Sequence, residues 1–205
     1  MIDDTRLPDG PVLVSGLPRS GTSMMMKMIS NGGLSVLSDG VRVADVDNPE
    51  GYFEYEAIKR VGEQPSCLDG ANQKLLKVIS RLLYDLPLDR RYRVVFMHRD
   101  IEEILASQLK MLIRRGLNKD NYDQGLCAAF EKHLSDTDNW LRQNHKHFEV
   151  LYVRFADVHA DPFYQSNRVN NFLGGKLDVA AMADAVNSDL YRQRFHNESI
   201  MKTGH

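Results

Sequence analysis

The chain has 205 residues, 42% hydrophobic and 26% charged, a balance that suits one compact domain with a sizeable core and excludes a low-complexity chain. A net charge of −2 gives no support for a binder of nucleic acid or of membrane surfaces, so any strong positive potential must be local. Cys67 and Cys127 are too few for a disulfide framework and lack metal-ligand spacing. Met1–Arg6 holds no apolar signal region and no run approaches spanning length, so a cytoplasmic protein with reduced thiols and no membrane partner is expected.

The first element carries the most chemistry. A short apolar strand near 11–15 breaks into a glycine loop, Gly16-Leu17-Pro18-Arg19-Ser20-Gly21-Thr22-Ser23, and then into a helix over 22–31. Unpaired N–H groups at a first helical turn point back into such a loop, and the helix dipole adds partial positive charge, so an anion is stabilised there. Gly16 and Gly21 stand as in the GxxxxGK[ST] loop of nucleotide triphosphatases, but Thr22 occupies the place of that loop's Lys. The cation is Arg19, inside the loop, where its planar fork can grip a bridging or terminal oxyanion. Met24, Met25, Met26 and Met28 read as the filling of a buried helix.

A strand near 34–37 precedes the turn-rich stretch Asp45–Glu56, which leads into a helix over 54–62. Its carboxylates are Glu50, Glu54 and Glu56. Glu54 stands between Phe53 and Tyr55, neighbours that would raise its pKa towards that of a base near neutral pH; a helix-start carboxylate favoured by the dipole is the alternative. Strands follow near 74–79 and, after a surface turn at 86–91, near 92–97. His98-Arg99-Asp100 then opens a helix over 100–114, with Ile101, Ile104, Leu105, Gln108 and Leu112 at helical spacing and Ser107 eight residues after Arg99. A helix over 121–144 places Leu126, Phe130, Leu134, Thr137 and Leu141 on one core face. A strand near 149–154 and helices over 162–173 and 178–187 complete the chain. Alternating apolar strands and helices predict an α/β fold: a parallel sheet covered on both faces, with ligands at the strands' carboxyl ends, where the loop after Val14 and the turn at Arg99 both lie. The histidines are scattered without ligand spacing, so no metal site is expected.

Pro18-Arg19-Ser20-Gly21-Thr22-Ser23 resembles the P-[KR]-S-G-T-[TS] loop of the P-loop sulfotransferases that use 3′-phosphoadenosine 5′-phosphosulfate (PAPS). The resemblance implies one domain over residues 1–205, a three-layer α/β/α fold with a mostly parallel central sheet. It further implies that the loop holds the 5′-phosphosulfate while Arg19 assists departure of the phosphate, and that Arg99 and Ser107 bind the 3′-phosphate. Val153–Pro162 and Asn171–Gly174 resemble structural segments of the family. The chain also departs from the pattern. Met24 stands where cytosolic members stack a Trp on adenine, Lys77 is kept but Ile79 replaces the His of K-x-H, and the C-terminal R-K-G is absent, with Arg192 or Arg194 as substitutes or as parts of a solvated helix face.

Branches of the family that lack the His, including those acting on glycans, use a Glu, which makes Glu54 the candidate base and Glu50 and Glu56 its rivals. The implied activity is sulfuryl transfer from PAPS to a hydroxyl or amine of a small-molecule or glycan acceptor, without a metal. Two other readings stay open: a P-loop phosphotransferase using ATP and magnesium, opposed by Thr22 and by the lack of a strand-end Asp for the metal, and a non-catalytic nucleotide-binding homologue.

Overall fold

The computed structural model describes residues 10–40, 53–114, 116 and 124–186. Its centre is a four-stranded sheet in the order β2-β1-β3-β4, formed by β1 (Val12–Gly16), β2 (Leu75–Lys77), β3 (Tyr92–His98) and β4 (Phe148–Arg154). Every pairing is parallel, as the strand-helix alternation predicts. Register sets the site: Gly16 lies opposite Met97 and His98 opposite Arg154, so the carboxyl ends of β1, β3 and β4 are level.

Both faces of β1 are covered because its residues alternate between two cores. Val12 and Val14 join Met25, Met26, Met28 and Ile29 of α1 (Thr22–Asn31), with Val95, Val153, Val169 and Met182, on one face. Leu13 joins Leu76, Val94, Phe96, Leu141 and Phe148 on the other. The first face is roofed by α1 together with α4 (Phe155–Ala160), α5 (Pro162–Phe172) and α6 (Val179–Asp184), which supply Val158, Val169 and Met182. The second is roofed by α3 (Gln124–Gln143), whose buried Thr137 and Leu141 lie on the predicted face, and by 3-10 turns at Glu56–Arg60, Pro65–Leu68 and Ser80–Asp85. Between β3 and α3 runs α2 (Ile101–Arg114), which starts at the sheet's carboxyl edge. No helix among the described residues is long and apolar enough to cross a membrane.

Several expected elements differ in extent. The strand expected near 34–37 is a single bridge, Val36 to Leu75, because β2 is only three residues long and Leu75 alone exchanges backbone bonds with Ser35 and Leu37. The helix expected over 54–62 is a 3-10 turn at Glu56–Arg60. An additional helix, α4, separates β4 from α5: Asp161 ends it and caps the next helix by accepting from the Tyr164 N–H, with Pro162 at the first position of α5, where its missing N–H costs nothing.

Candidate functional site

At the carboxyl end of β1 the backbone enters a turn that few residues tolerate. Gly16 has φ of 143°, and a Cβ there would lie 2.6 Å from the Met97 carbonyl oxygen. The turn closes with the Ser20 N–H donating to the Leu17 carbonyl (3.1 Å). Arg19 occupies the left-handed region at φ 72°, a conformation that costs a non-glycine residue about 1–3 kcal/mol and persists only where neighbours over-determine it. Gly21 follows at φ 98°, with the place of its absent Cβ 2.4 Å from the Phe155 ring. Helix α1 then starts with neither a side-chain cap nor an acidic residue in its first turn, which leaves its N-terminal dipole uncompensated by carboxylates.

Three cations surround this turn. Arg19 Nε donates to Ser107 Oγ (3.0 Å), joining the loop to α2. Arg99, at the exit of β3, donates from Nη1 to the Arg19 carbonyl (3.2 Å) and from Nε to Glu103 Oε2 (2.9 Å), and its guanidinium lies 4.3 Å over the Phe155 ring. Lys77 Nζ, at the end of β2, donates to Ser23 Oγ (2.9 Å) in the first turn of α1. Two hydroxyls in this region, Ser15 Oγ and Ser20 Oγ, are buried without a hydrogen-bond partner among the described residues. Buried polar groups are almost always satisfied, and an orphaned hydroxyl within a loop of N–H donors suits a site built around an anion.

The family resemblance leads one to expect Arg99 and Ser107 on either side of one anion. In the structure the two meet at Arg19, Ser107 through the Arg19 side chain and Arg99 through its carbonyl. Arg99 is also no surface residue: its side chain is 9% exposed and that of Glu103 7%. Glu103 and Phe155, which no sequence motif marks, complete the surroundings of Arg99. The i,i+4 spacing of Arg99 and Glu103 on a helix start was a usable signal, whereas Phe155 reaches the site only because β4 pairs with β3.

The carboxylate loop is described from Phe53 onward; Glu50 and the stretch Asn48–Tyr52 lie outside the described residues, as do Arg192 and Arg194. Phe53 packs on the core beneath α1 and Tyr55 on the opposite core, so the segment crosses the sheet edge beside Val36. Glu54, half-buried, accepts at its carbonyl from the Asp39 N–H (3.2 Å). Glu56 is exposed and paired with Lys59 (2.6 Å). On the β3 face opposite Arg99, His98 packs against Phe96 and Tyr152. Burial pushes its imidazole below the ordinary value, opposed by Asp138 and aided by Arg154.

The fold and the loop together define a parallel α/β domain with an arginine-bearing glycine loop at the carboxyl edge of its sheet. Residues 9–202 match the sulfotransferase domain family, and the chain belongs to it. The sulfotransferase STF1 from Mycobacterium tuberculosis H37Rv superposes with a TM-score of 0.54 at 16% identity, covering 89% of this chain and 71% of that one, which shows a shared fold. The sulfotransferase domain from the curacin biosynthetic pathway aligns at 12% identity and a TM-score of 0.49, over 89% of this chain and 79% of that domain. No protein with a curated description matches the chain.

Proposed function

We propose that this protein transfers a sulfuryl group from PAPS to a hydroxyl or amine of a small-molecule or glycan acceptor, without a metal, and that residues 1–205 act as one domain. The observation that carries the reading is the convergence of Arg19, Ser107 and Arg99 on one glycine loop in a member of the sulfotransferase domain family. The loop suits a phosphosulfate in two further respects. Gly16 and Gly21 let the loop turn tightly against the Met97 carbonyl and the Phe155 ring, which fixes its shape, and Ser20 Oγ is a buried hydroxyl without a protein partner among the described residues.

In this reading Pro18, Arg19, Ser20, Gly21, Thr22 and Ser23 hold the 5′-phosphosulfate. Arg99 and Ser107 take the 3′-phosphate; a guanidinium is a fork of several donors, so contacts to Glu103 and the Arg19 carbonyl do not by themselves exhaust it. The acceptor heteroatom forms a bond to sulfur as the bond from sulfur to the bridging phosphate oxygen breaks, and that oxygen takes the electron pair. Arg19 and the loop N–H groups stabilise the charge growing there, the kind of preorganised stabilisation that contributes most to such steps. Glu54 accepts the acceptor's proton: it is the half-buried carboxylate of its segment, while Glu56 is held at the surface by Lys59.

The deciding experiment is thermal unfolding with adenosine 3′,5′-bisphosphate in the absence of magnesium. Stabilisation greater than that given by ATP or AMP is expected, growing as RT ln(1 + [L]/Kd). Equal or better protection by ATP with magnesium refutes the assignment and favours a phosphotransferase. Arg99→Ala is expected to weaken bisphosphate binding by about 1.5–3 kcal/mol, Arg19→Ala to lower turnover more than affinity, and Glu54→Gln to lower turnover roughly 10²-fold with binding retained. Glu56→Gln is expected to be nearly silent.

A further inference from the structure

Arg19 at φ 72° does not hold its conformation by its own preference, and its carbonyl oxygen is fixed by a donor from another element, Arg99 Nη1 at 3.2 Å. The direction of that donor depends in turn on what grips the rest of the guanidinium. Glu103 Oε2, in the first turn of α2, accepts from Nε at 2.9 Å, and the Phe155 ring centroid lies 4.3 Å from the guanidinium carbon. Phe155 also closes against the other end of the turn, where no Cβ fits at Gly21. Both shoulders of the glycine loop, the Arg19 carbonyl and the Gly21 backbone, therefore rest on one assembly buried between β3, α2 and α4.

We propose that Glu103 is a positioning residue for this loop. By binding Nε it fixes rotation about the last bonds of Arg99, which aims Nη1 at the Arg19 carbonyl and so sets the direction of the Arg19 side chain toward α2 and the anion. A carboxylate rather than an amide is required, because a charge-assisted bond is stronger and because a buried guanidinium that loses its counter-charge seeks another acceptor. The exposures of the pair, 9% and 7%, take this interaction out of the class of surface ion pairs, which hold geometry weakly. The choice of ligand in the test rests on the PAPS reading, whereas the loop geometry does not.

The test measures two quantities on the whole protein: amide hydrogen exchange across residues 16–23 without ligand, and affinity for adenosine 3′,5′-bisphosphate by titration calorimetry. Glu103→Gln is expected to speed loop exchange by about tenfold or more, with peptides from β1 and β3 unchanged, and to weaken binding by a similar factor. If Glu103 acts through Arg99, the same substitution made in an Arg99→Met background adds nothing to either readout. Arg99→Met combined with Glu103→Leu replaces the buried pair by apolar side chains and covers the case in which Glu103→Gln unfolds. It is expected to restore thermal stability, as such replacements often do, without restoring loop protection or affinity. Wild-type exchange in Glu103→Gln, an undiminished effect of that substitution in the Arg99→Met background, or full recovery of protection and affinity in the apolar double variant would each overturn the proposal. Failure of the PAPS reading gives a different result: the wild-type protein ignores the bisphosphate while loop exchange still responds to Glu103→Gln.

Discussion

A methyl group added at Gly21 meets two separate obstacles, and the structure contains a position that isolates one of them. Gly21 at φ 98° and Gly33 at φ 106° are both left-handed, so an alanine at either is strained by about 1–2 kcal/mol. At Gly33 nothing lies within 4 Å of the new Cβ, whereas at Gly21 it would come within 2.4 Å of Phe155 Cδ2, a ring atom pinned between the loop and the Arg99 guanidinium. Moving that ring is an overpacking cost of about 1–3 kcal/mol, which brings Gly21→Ala to about 2–5 kcal/mol against about 1–2 for Gly33→Ala. Urea unfolding read at unchanged slope separates the two, and for a chain of this size each kcal/mol also moves the melting temperature by about 2–4 °C. Gly21→Ala is further expected to abolish ligand protection at the loop, and Gly33→Ala to leave it intact. Equal destabilisation by the two alanines would refute the packing of Phe155 against the loop.

The remaining predictions concern the elements that support the site. His98 and His133 are both held below the ordinary imidazole value of 6.5, chiefly by burial, so on acidification the unfolded chain takes up their protons first; melting temperature is expected to fall as pH drops below that value, and His98→Phe to remove part of the slope in a pH series of melts. Asp161→Ala, which removes the acceptor of the Tyr164 N–H at the start of α5, is expected to cost about 1 kcal/mol in denaturant unfolding. Lys77→Met keeps the apolar stem but loses the donor to Ser23 and the charge beside the loop; about tenfold weaker bisphosphate binding with unchanged melting temperature is expected, by calorimetric titration.

The loop is legible in the sequence because its signals are local: two glycines, an arginine between them and an apolar helix that follows without a break. β1 and β3 are legible for a related reason, since strands buried on both faces carry nearly continuous apolar runs that need no knowledge of their partners, while β4, at the sheet edge with Glu149, Tyr152 and Arg154 exposed, is legible from its apolar Val150, Leu151 and Val153. The short edge is different. Whether 34–37 forms a strand depends on how much of β2 there is to pair with, and β2 ends at Lys77 because Ile79 already precedes the 3-10 turn at Ser80–Asp85. Arg99 illustrates the same limit within the site. Its motif is readable, but its burial and its contact with Phe155 come from the pairing of β4 beside β3, a long-range fact that no local pattern encodes.

The early end of β2 also bears on where a proton acceptor can stand. Lys77 points to the start of α1, and Ile79, 36% exposed, occupies the next position on the same side of the chain with no group that can take a proton. The adjacent hydroxyl, Ser80 Oγ, is bonded to His133 Nε2 (2.8 Å) on the α3 side of the sheet. In the proposed reaction, an acceptor beside the loop would therefore find no carboxylate or imidazole on β2 or at Ile79 and Ser80 just beyond it. Beyond Val36, which bridges to β2, lies the segment from Phe53 to Glu56, tied to Asp39 at both the Glu54 carbonyl and the Glu56 N–H. Of its two carboxylates, Glu56 stands in solvent against Lys59 and Glu54 is half-buried between side chains anchored in opposite cores. On the proposed reading this makes Glu54, in a segment whose neighbours are anchored in both cores, the candidate base rather than Glu56, since general-base catalysis requires a constant geometry before any matching of pKa.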